Sequence, residues 1–212
     1  MTTPRFRPPQ QHRSQETLDR ILDAAEHVLD TKSFSEATLV EIMQRAGVTV
    51  GAFYRRFPHK DALLHLMDER FFAELYARGE GVLSPTRWAG APISHVLAEF
   101  TGEAVAIYRE RRGLLRSLFL RARIDPVIQA TARQVNSHLI DKLLAVLLPR
   151  ADEIHHPNPR RAIELGYMVL MGALRETVLF GEVWPGSFDD RNTELTRELT
   201  RVYVGYLGVR DM

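Results

Sequence analysis

The chain contains no cysteine, and that one absence removes several kinds of chemistry. Without thiols there is no disulfide framework, no thiolate zinc site and no cysteine nucleophile, a composition suited to a reducing compartment. An excess of charge of one sign is also missing. With 28 Lys and Arg against 27 Asp and Glu, the net charge is +1 at pH 7, which leaves neither a broadly basic coat nor an acidic tail. No apolar run reaches the roughly 18 residues of a membrane-spanning helix, and no secretory signal is evident, so a soluble, cytoplasmic chain with no membrane partner is expected. H-E-x-x-H, G-x-S-x-G and phosphate-loop patterns are absent. His12, His27, His59, His65, His95 and His138 are scattered. His155 and His156 are adjacent, which puts them on opposite sides of an extended chain rather than on one metal. No catalytic residue, metal site or cofactor is expected.

What is present is helical patterning, in 212 residues of which 45% are hydrophobic, enough for one large core or for a small domain and a larger one. The most informative stretch is Thr38 to Phe57, TLVEIMQRAGVTVGAFYRRF. Leu39, Ile42, Met43 and Ala46 recur at the spacing of one helix face, and Thr38 with Glu41 forms a capping box ahead of them. Gly47 stands where a helix end needs a left-handed residue, Val48 offers an apolar anchor, and Thr49 caps a second helix from Val50 to Phe57. Two short helices on so tight a turn make a helix-turn-helix. Phe53 and Phe57, four apart, face inward and leave Val50, Gly51, Ala52, Tyr54, Arg55 and Arg56 outward. From Gln44 to Lys60 there are cations (Arg45, Arg55, Arg56, Lys60) and no acid, a surface that releases counterions on meeting phosphate. The basic character is local. Residues 1–80 hold 11 Lys and Arg against 12 Asp and Glu, 11 − 12 = −1, so non-specific DNA affinity is expected to be modest and sharply salt-dependent.

The whole string closely resembles the DNA-binding domain of TetR-family transcriptional regulators, whose pattern runs from a threonine cap through an apolar helix, A-G-V-S/T, a small residue, then Y-x-x-F and K-x-x-L. The matching residues are Thr38, Ile42, Ala46, Gly47, Val48, Thr49, Gly51, Phe53, Tyr54, Phe57, Lys60 and Leu63, and the resemblance covers about residues 14 to 80. It implies that Tyr54 and Lys60 contact phosphate. Thr38, at a helix start, has a hydroxyl and an amide to offer a phosphate, and Thr49 is suited to base or phosphate. Val50, Gly51 and Ala52, small and apolar at the helix tip, suit thymine methyl groups; Arg55 is suited equally to guanine and to phosphate. Three positions depart from the family pattern: Ser33 where glycine usually ends the first helix, Met43 where alanine is favoured, and His59 where Ser, Asn or Asp caps the next helix.

An all-α protein is therefore expected. Residues 1–13, rich in Pro and Gln, read as a disordered arm whose Arg5, Arg7 and Arg13 either reach a minor groove or are simply solvated. Residues 14–80 form a three-helix helix-turn-helix domain, beginning with an amphipathic helix from Ser14 to Lys32 and followed by a longer helix from Lys60 to Gly79. A Gly- and Pro-rich loop, residues 79–92, marks the boundary. Residues 81–212 form a larger helical domain for ligand binding and dimerisation. Its helices span about Ile93 to Tyr108, Leu114 to Phe119, Pro126 to Leu148, Arg160 to Phe180 and Asp189 to Gly208, with Asp125-Pro126 and Asn158-Pro159 as start signals. The last two carry more apolar surface than one small domain can cover, so a homodimer through a four-helix bundle is expected.

The family resemblance implies a ligand pocket between helices of this domain, with Phe100, Ile107, Tyr108, Phe119, His138, Tyr167, Met168 and Met171 as candidates. Plain core packing explains the same residues. Arg121 and Arg123 suit an acidic or acyl ligand or a solvated face. The expected function is a TetR-like repressor that binds a palindromic double-stranded DNA operator as a homodimer and is released by a small-molecule effector, through a tilt of the helix from Lys60 to Gly79. The alternatives are a ligand-independent DNA-binding regulator and a small helical enzyme.

Overall fold

Most helix starts in this chain are marked by a side chain that replaces a missing backbone acceptor, so the order of elements follows the caps. The computed structural model describes residues 10–183 and 192–209, and among them the regular structure is entirely helical. The α-helices are α1 (Gln10–Leu29), α2 (Leu39–Ala46), α3 (Val50–Tyr54), α4 (Lys60–Val82), α5 (Ile93–Glu110), α6 (Arg112–Arg121), α7 (Pro126–Leu147), α8 (Pro159–Leu174) and α9 (Asn192–Leu207). Asp125 accepts the Val127 N–H ahead of α7 and Asn158 accepts the Arg161 N–H ahead of α8, each with proline at the start of the helix. α1 begins at Gln10, inside the stretch expected to be a disordered arm; Arg5 and Arg7 of that arm lie outside the described residues. The expected start of the last helix, Asp189, also lies outside them.

The chain divides into two units, residues 1–67 and 68–212, and the division falls within α4. Sequence had suggested a boundary at residue 80, in the Gly- and Pro-rich loop. That loop is folded into the second unit: Leu83 is fully buried, the Trp88 indole N–H donates to the Val82 carbonyl, and Arg87 pairs with Glu99 at 2.6 Å. A string of turn-forming residues ends a helix, but it does not by itself separate two bodies.

In the first unit α1 packs on α2. Ile21, Leu22, Ala25 and Leu29 are buried on α1, Ile42, Met43 and Ala46 on α2, and Phe53 and Phe57 on and just after α3. Methionine at position 43 is accommodated in this core. α1 stops at Leu29, short of Lys32, and Ser33 starts the following turn. Its hydroxyl donates to Glu36 Oε2 at 2.6 Å and its N–H to the same oxygen at 3.0 Å.

In the second unit α5 is buried along most of its length, from Ile93 through Val96, Leu97, Phe100, Ala104 and Val105 to Tyr108. α9 packs against α5 and α8, and α8 against α7. The approach of α9 to α8 depends on Gly166, because a Cβ there would stand 1.9 Å from the Tyr203 ring. The Tyr203 hydroxyl donates to the Ile163 carbonyl at 2.6 Å and fixes that ring in place. α8 ends in one wide turn, where the Phe180 N–H bonds the Arg175 carbonyl five residues back at 3.2 Å.

Candidate functional site

The helix-turn-helix is set by local chemistry. The Thr38 hydroxyl accepts the Glu41 N–H at 3.2 Å while Glu41 Oε2 accepts the Thr38 N–H at 3.0 Å, a reciprocal box that starts α2. The Lys32 ammonium, then the backbone and hydroxyl of Thr38, hold the Glu41 carboxyl down to about 2 from an ordinary 4.5. At the other end of α2, Gly47 takes φ +63° and ψ +40°, and the Val48 N–H returns to the Met43 carbonyl at 3.0 Å. Thr49 then caps α3 by accepting the Ala52 N–H at 3.2 Å.

α3 is five residues long, shorter than the expected span to Phe57, and the chain closes with a turn at Arg56 and Phe57. Its anchor is Phe53, fully buried, with the Phe57 ring 5.0 Å away and the Tyr54 ring edge-on at 5.4 Å. Burying one face exposes the other: Val50 is 55% and Tyr54 52% accessible, while Gly51, Thr49 and Arg55 are exposed and Ala52 is half-buried. This exposed edge carries no acid.

The structure separates residues that sequence had grouped together. The Arg56 guanidinium is turned back, donating to the Ala52 carbonyl at 3.1 Å and to the Ser14 hydroxyl at 3.2 Å, so in this conformation it ties α3 to α1. The Lys60 ammonium is bonded to the carbonyls of Phe34 and Ala37 and lies over the Phe34 ring at 4.3 Å. Thr38 has its hydroxyl proton on Glu41 Oε2 at 2.8 Å and its N–H on the same carboxylate. A phosphate contact from the Thr38 hydroxyl therefore requires it to exchange partners, while Arg56 and Lys60 have more N–H donors than these bonds use but are held in place by them. Arg55 needs no such exchange from the contacts just described. His59 caps α4 after all, its Nδ1 accepting the Ala62 N–H at 3.1 Å. Sequence reasoning missed the ties from Arg56 to Ser14 and from Lys60 to Phe34, because they join residues 42 and 26 positions apart.

The second unit contains a cavity of about 120 Å³. Phe100, Ile107, Tyr108, Phe119, Tyr167 and Met171, six of the eight expected positions, line it. Met168 does not, being 62% exposed on the outer side of α8, and His138 stands apart with its ring 4.5 Å from that of Tyr76 and Nε2 3.6 Å from Glu80. Neighbouring helices supply walls that the sequence gave no reason to single out: Phe71, Phe72, Leu75 and Val82 from α4, and Ile128, Val135 and Leu139 from α7. Their periodicity is that of ordinary core. Among the described residues there is no group of three or more His, Cys, Asp or Glu placed to hold a metal, and no helix long and apolar enough to cross a membrane.

Comparison with known proteins agrees with this geometry. The model of the family described as bacterial regulatory proteins, tetR family, matches residues 21–67, the core of the helix-turn-helix unit. No curated protein matches the chain in sequence. Among solved structures, a TetR-family transcriptional regulator from Mesorhizobium loti MAFF303099 is similar with TM-score 0.71 at 19% identity, covering 92% of this chain and 97% of that one. A transcriptional regulator from Rhodococcus sp. Rha1 gives TM-score 0.71 at 18% identity, with 92% and 98% covered. FadR from Bacillus subtilis, solved in complex with stearoyl-CoA, gives 0.67 at 18% identity, with 89% and 98% covered. At these identities the likeness is one of fold.

Proposed function

We propose that the chain, whose residues 21–67 match the tetR family of bacterial regulatory proteins, is a DNA-binding repressor that works as a homodimer and is released from a palindromic operator by a small molecule. The observation that carries the DNA reading is the exposed, acid-free edge from Thr49 to Arg55, presented by a helix anchored on Phe53. Val50, Gly51 and Ala52 are small enough for the strand of bases to approach the backbone, and they favour thymine methyl groups. Tyr54 and Arg55 supply a hydroxyl and a guanidinium beside them. Lys60 and Arg56 contribute through N–H donors beyond those already bonded, and Thr38 once its hydroxyl exchanges Glu41 for phosphate.

Dimerisation is supported by the outer face of α8 and α9, where Met168 (62%), Val169 (47%), Val202 (56%) and Tyr206 (38%) are exposed together. Two helices from each copy would cover one another as a four-helix bundle. Release is supported by the cavity, and FadR shows a protein of this fold bound to a small ligand. α4 is the natural relay. It starts at Lys60 in the first unit, and Phe71, Phe72, Leu75 and Val82 on its later turns line the cavity. A ligand that displaces this one helix needs a coupling of only about 1–3 kcal/mol to change operator affinity 5- to 150-fold.

Selecting bound sequences from a random DNA pool tests the reading. A motif with two related half-sites, their centres separated by about one helical turn or a multiple of it, is the expected result. A purified protein that is monomeric and indifferent to every duplex at low ionic strength would sink it. Once the operator is in hand, Arg55→Ala assigns that side chain: relaxed preference at one position means guanine, whereas uniform weakening across sequences means phosphate.

A further inference from the structure

The walls of the cavity say more about its occupant than its presence does. Its volume, about 120 Å³, is near that of an engineered apolar cavity of roughly 150 Å³ that takes up benzene, so its unaltered form suits a single ring rather than a long chain. Charged side chains on the described lining are Asp68, Arg78 and Glu103, and each is already engaged. The Arg78 guanidinium is bonded to Glu74 at 2.8 Å and to Glu103 and Glu110 at 3.1 Å, whereas Asp68, which interacts elsewhere, keeps one buried carboxylate oxygen, Oδ1, with no hydrogen bond. An anionic ligand would meet that carboxylate oxygen and a guanidinium already shared among three carboxylates, and would bear the cost of an unmatched buried charge.

The polar groups inside are unequal. Tyr167 donates to Asn136 Oδ1 at 2.7 Å, and Asn136 Nδ2 donates to the Ala132 carbonyl at 2.7 Å, a closed chain that asks nothing of a ligand. Tyr108 is 6% exposed and lines the same space, yet its hydroxyl donates to the Met171 sulfur at 3.9 Å, a weak acceptor. Burial pushes the Tyr108 pKa well above its ordinary value, so the hydroxyl keeps its proton and remains a donor. Around it stand the Phe119 ring, 6.2 Å from its own, and the polarisable Met171, both suited to the face or edge of a ring.

Taking residues 68–212 as the effector-binding unit proposed above, we infer that the cavity selects a compact aromatic molecule that carries no negative charge and bears one hydrogen-bond acceptor, which the Tyr108 hydroxyl engages. Acceptor and ring are both required: the ring fills the space beside Phe119 and Met171, and the acceptor receives the hydrogen bond that sulfur accepts only weakly.

Calorimetry on the full chain with five probes tests this: acetophenone, toluene, benzoate, benzyltrimethylammonium and stearoyl-CoA. Acetophenone should bind most tightly. Tyr108→Phe, which keeps the ring and removes only the donor, should weaken acetophenone about fivefold and leave toluene unchanged. The inference is overturned if benzoate, benzyltrimethylammonium or stearoyl-CoA binds more tightly than acetophenone, if Tyr108→Phe weakens toluene as much as acetophenone, or if none of the five binds at about 1 mM. Adding the selected operator separates the two levels. Release by stearoyl-CoA would leave the effector reading standing and overturn the selectivity, whereas acetophenone bound as expected with no change in operator affinity would confirm the selectivity and remove the effector reading.

Discussion

Both units cap helices with side chains, Asp125 and Asn158 doing so in the second, but they differ in where the polar side chains that shape them lie. In residues 1–67 they finish the backbone from outside: Thr38 and Glu41 cap α2, Thr49 caps α3, His59 caps α4, and Lys60 gathers the carbonyls of Phe34 and Ala37. In residues 68–212 the polar groups that shape the unit lie inside it: Tyr203 on the Ile163 carbonyl, Tyr167 on Asn136, and Tyr108 against sulfur. A surface that must meet a rigid polyanion has to hold its shape without a ligand, and short-range caps provide that at little cost in buried area. A cavity is the reverse case. It exists only where several helices fail to fill the space between them, so its character is a product of long-range packing.

The contrast can be broken or sharpened by substitution. The largest effect is expected from Phe53→Ala, which empties the anchor under α3 and should destabilise the first unit by about 3–5 kcal/mol. Denaturant melting should then show that unit unfolding first while acetophenone binding persists; loss of both together would mean that the units are not energetically separate. Gly166→Ala is the matching change in the second unit. Its new methyl would meet the Tyr203 ring at 1.9 Å, and the overpacking should cost about 1–3 kcal/mol. Unaltered melting would show that Tyr203 moves freely, against its bond to Ile163.

Thr38→Ala removes one half of the capping box and should cost about 1 kcal/mol, seen as a lower urea midpoint with unchanged slope. The smallest effect is set by pH. The Glu41 carboxyl is held near 2 against an ordinary 4.5, so its folded-state value is the depressed one; its contribution to stability is complete above about 4.5 and is lost as the pH falls towards 2. Glu41→Gln should flatten that part of the acid-denaturation curve of the first unit. An identical curve for the variant would mean that the Lys32 and Thr38 contacts have no net effect.

How much could be read in advance follows the same division. The capping box at Thr38, the left-handed Gly47, the Thr49 cap and the buried pair Phe53 and Phe57 were all legible, because each is a rule about residues one to four positions apart. Asp125-Pro126 and Asn158-Pro159 marked their helices for the same reason. Helix ends were less so: α1 starts earlier and α3 stops earlier than periodicity suggested, and α4 runs on to Val82. Arg56 and Lys60 looked like free phosphate ligands, since nothing in the local sequence points to Ser14 or Phe34 as partners. Met168 and Met171 looked equivalent, three positions apart on one helix, yet one faces outward and the other lines the cavity.

The amino-acid sequence alone determined the helical class and the helix-turn-helix, because turns, caps and amphipathic spacing are short-range properties written in consecutive residues. Only the tertiary structure decided which cations bond to backbone carbonyls, which aromatic side chains enclose a space, and that Tyr108 donates to sulfur while Tyr167 donates to an amide oxygen. Those outcomes depend on distances between residues far apart in the chain, and packing sets such distances.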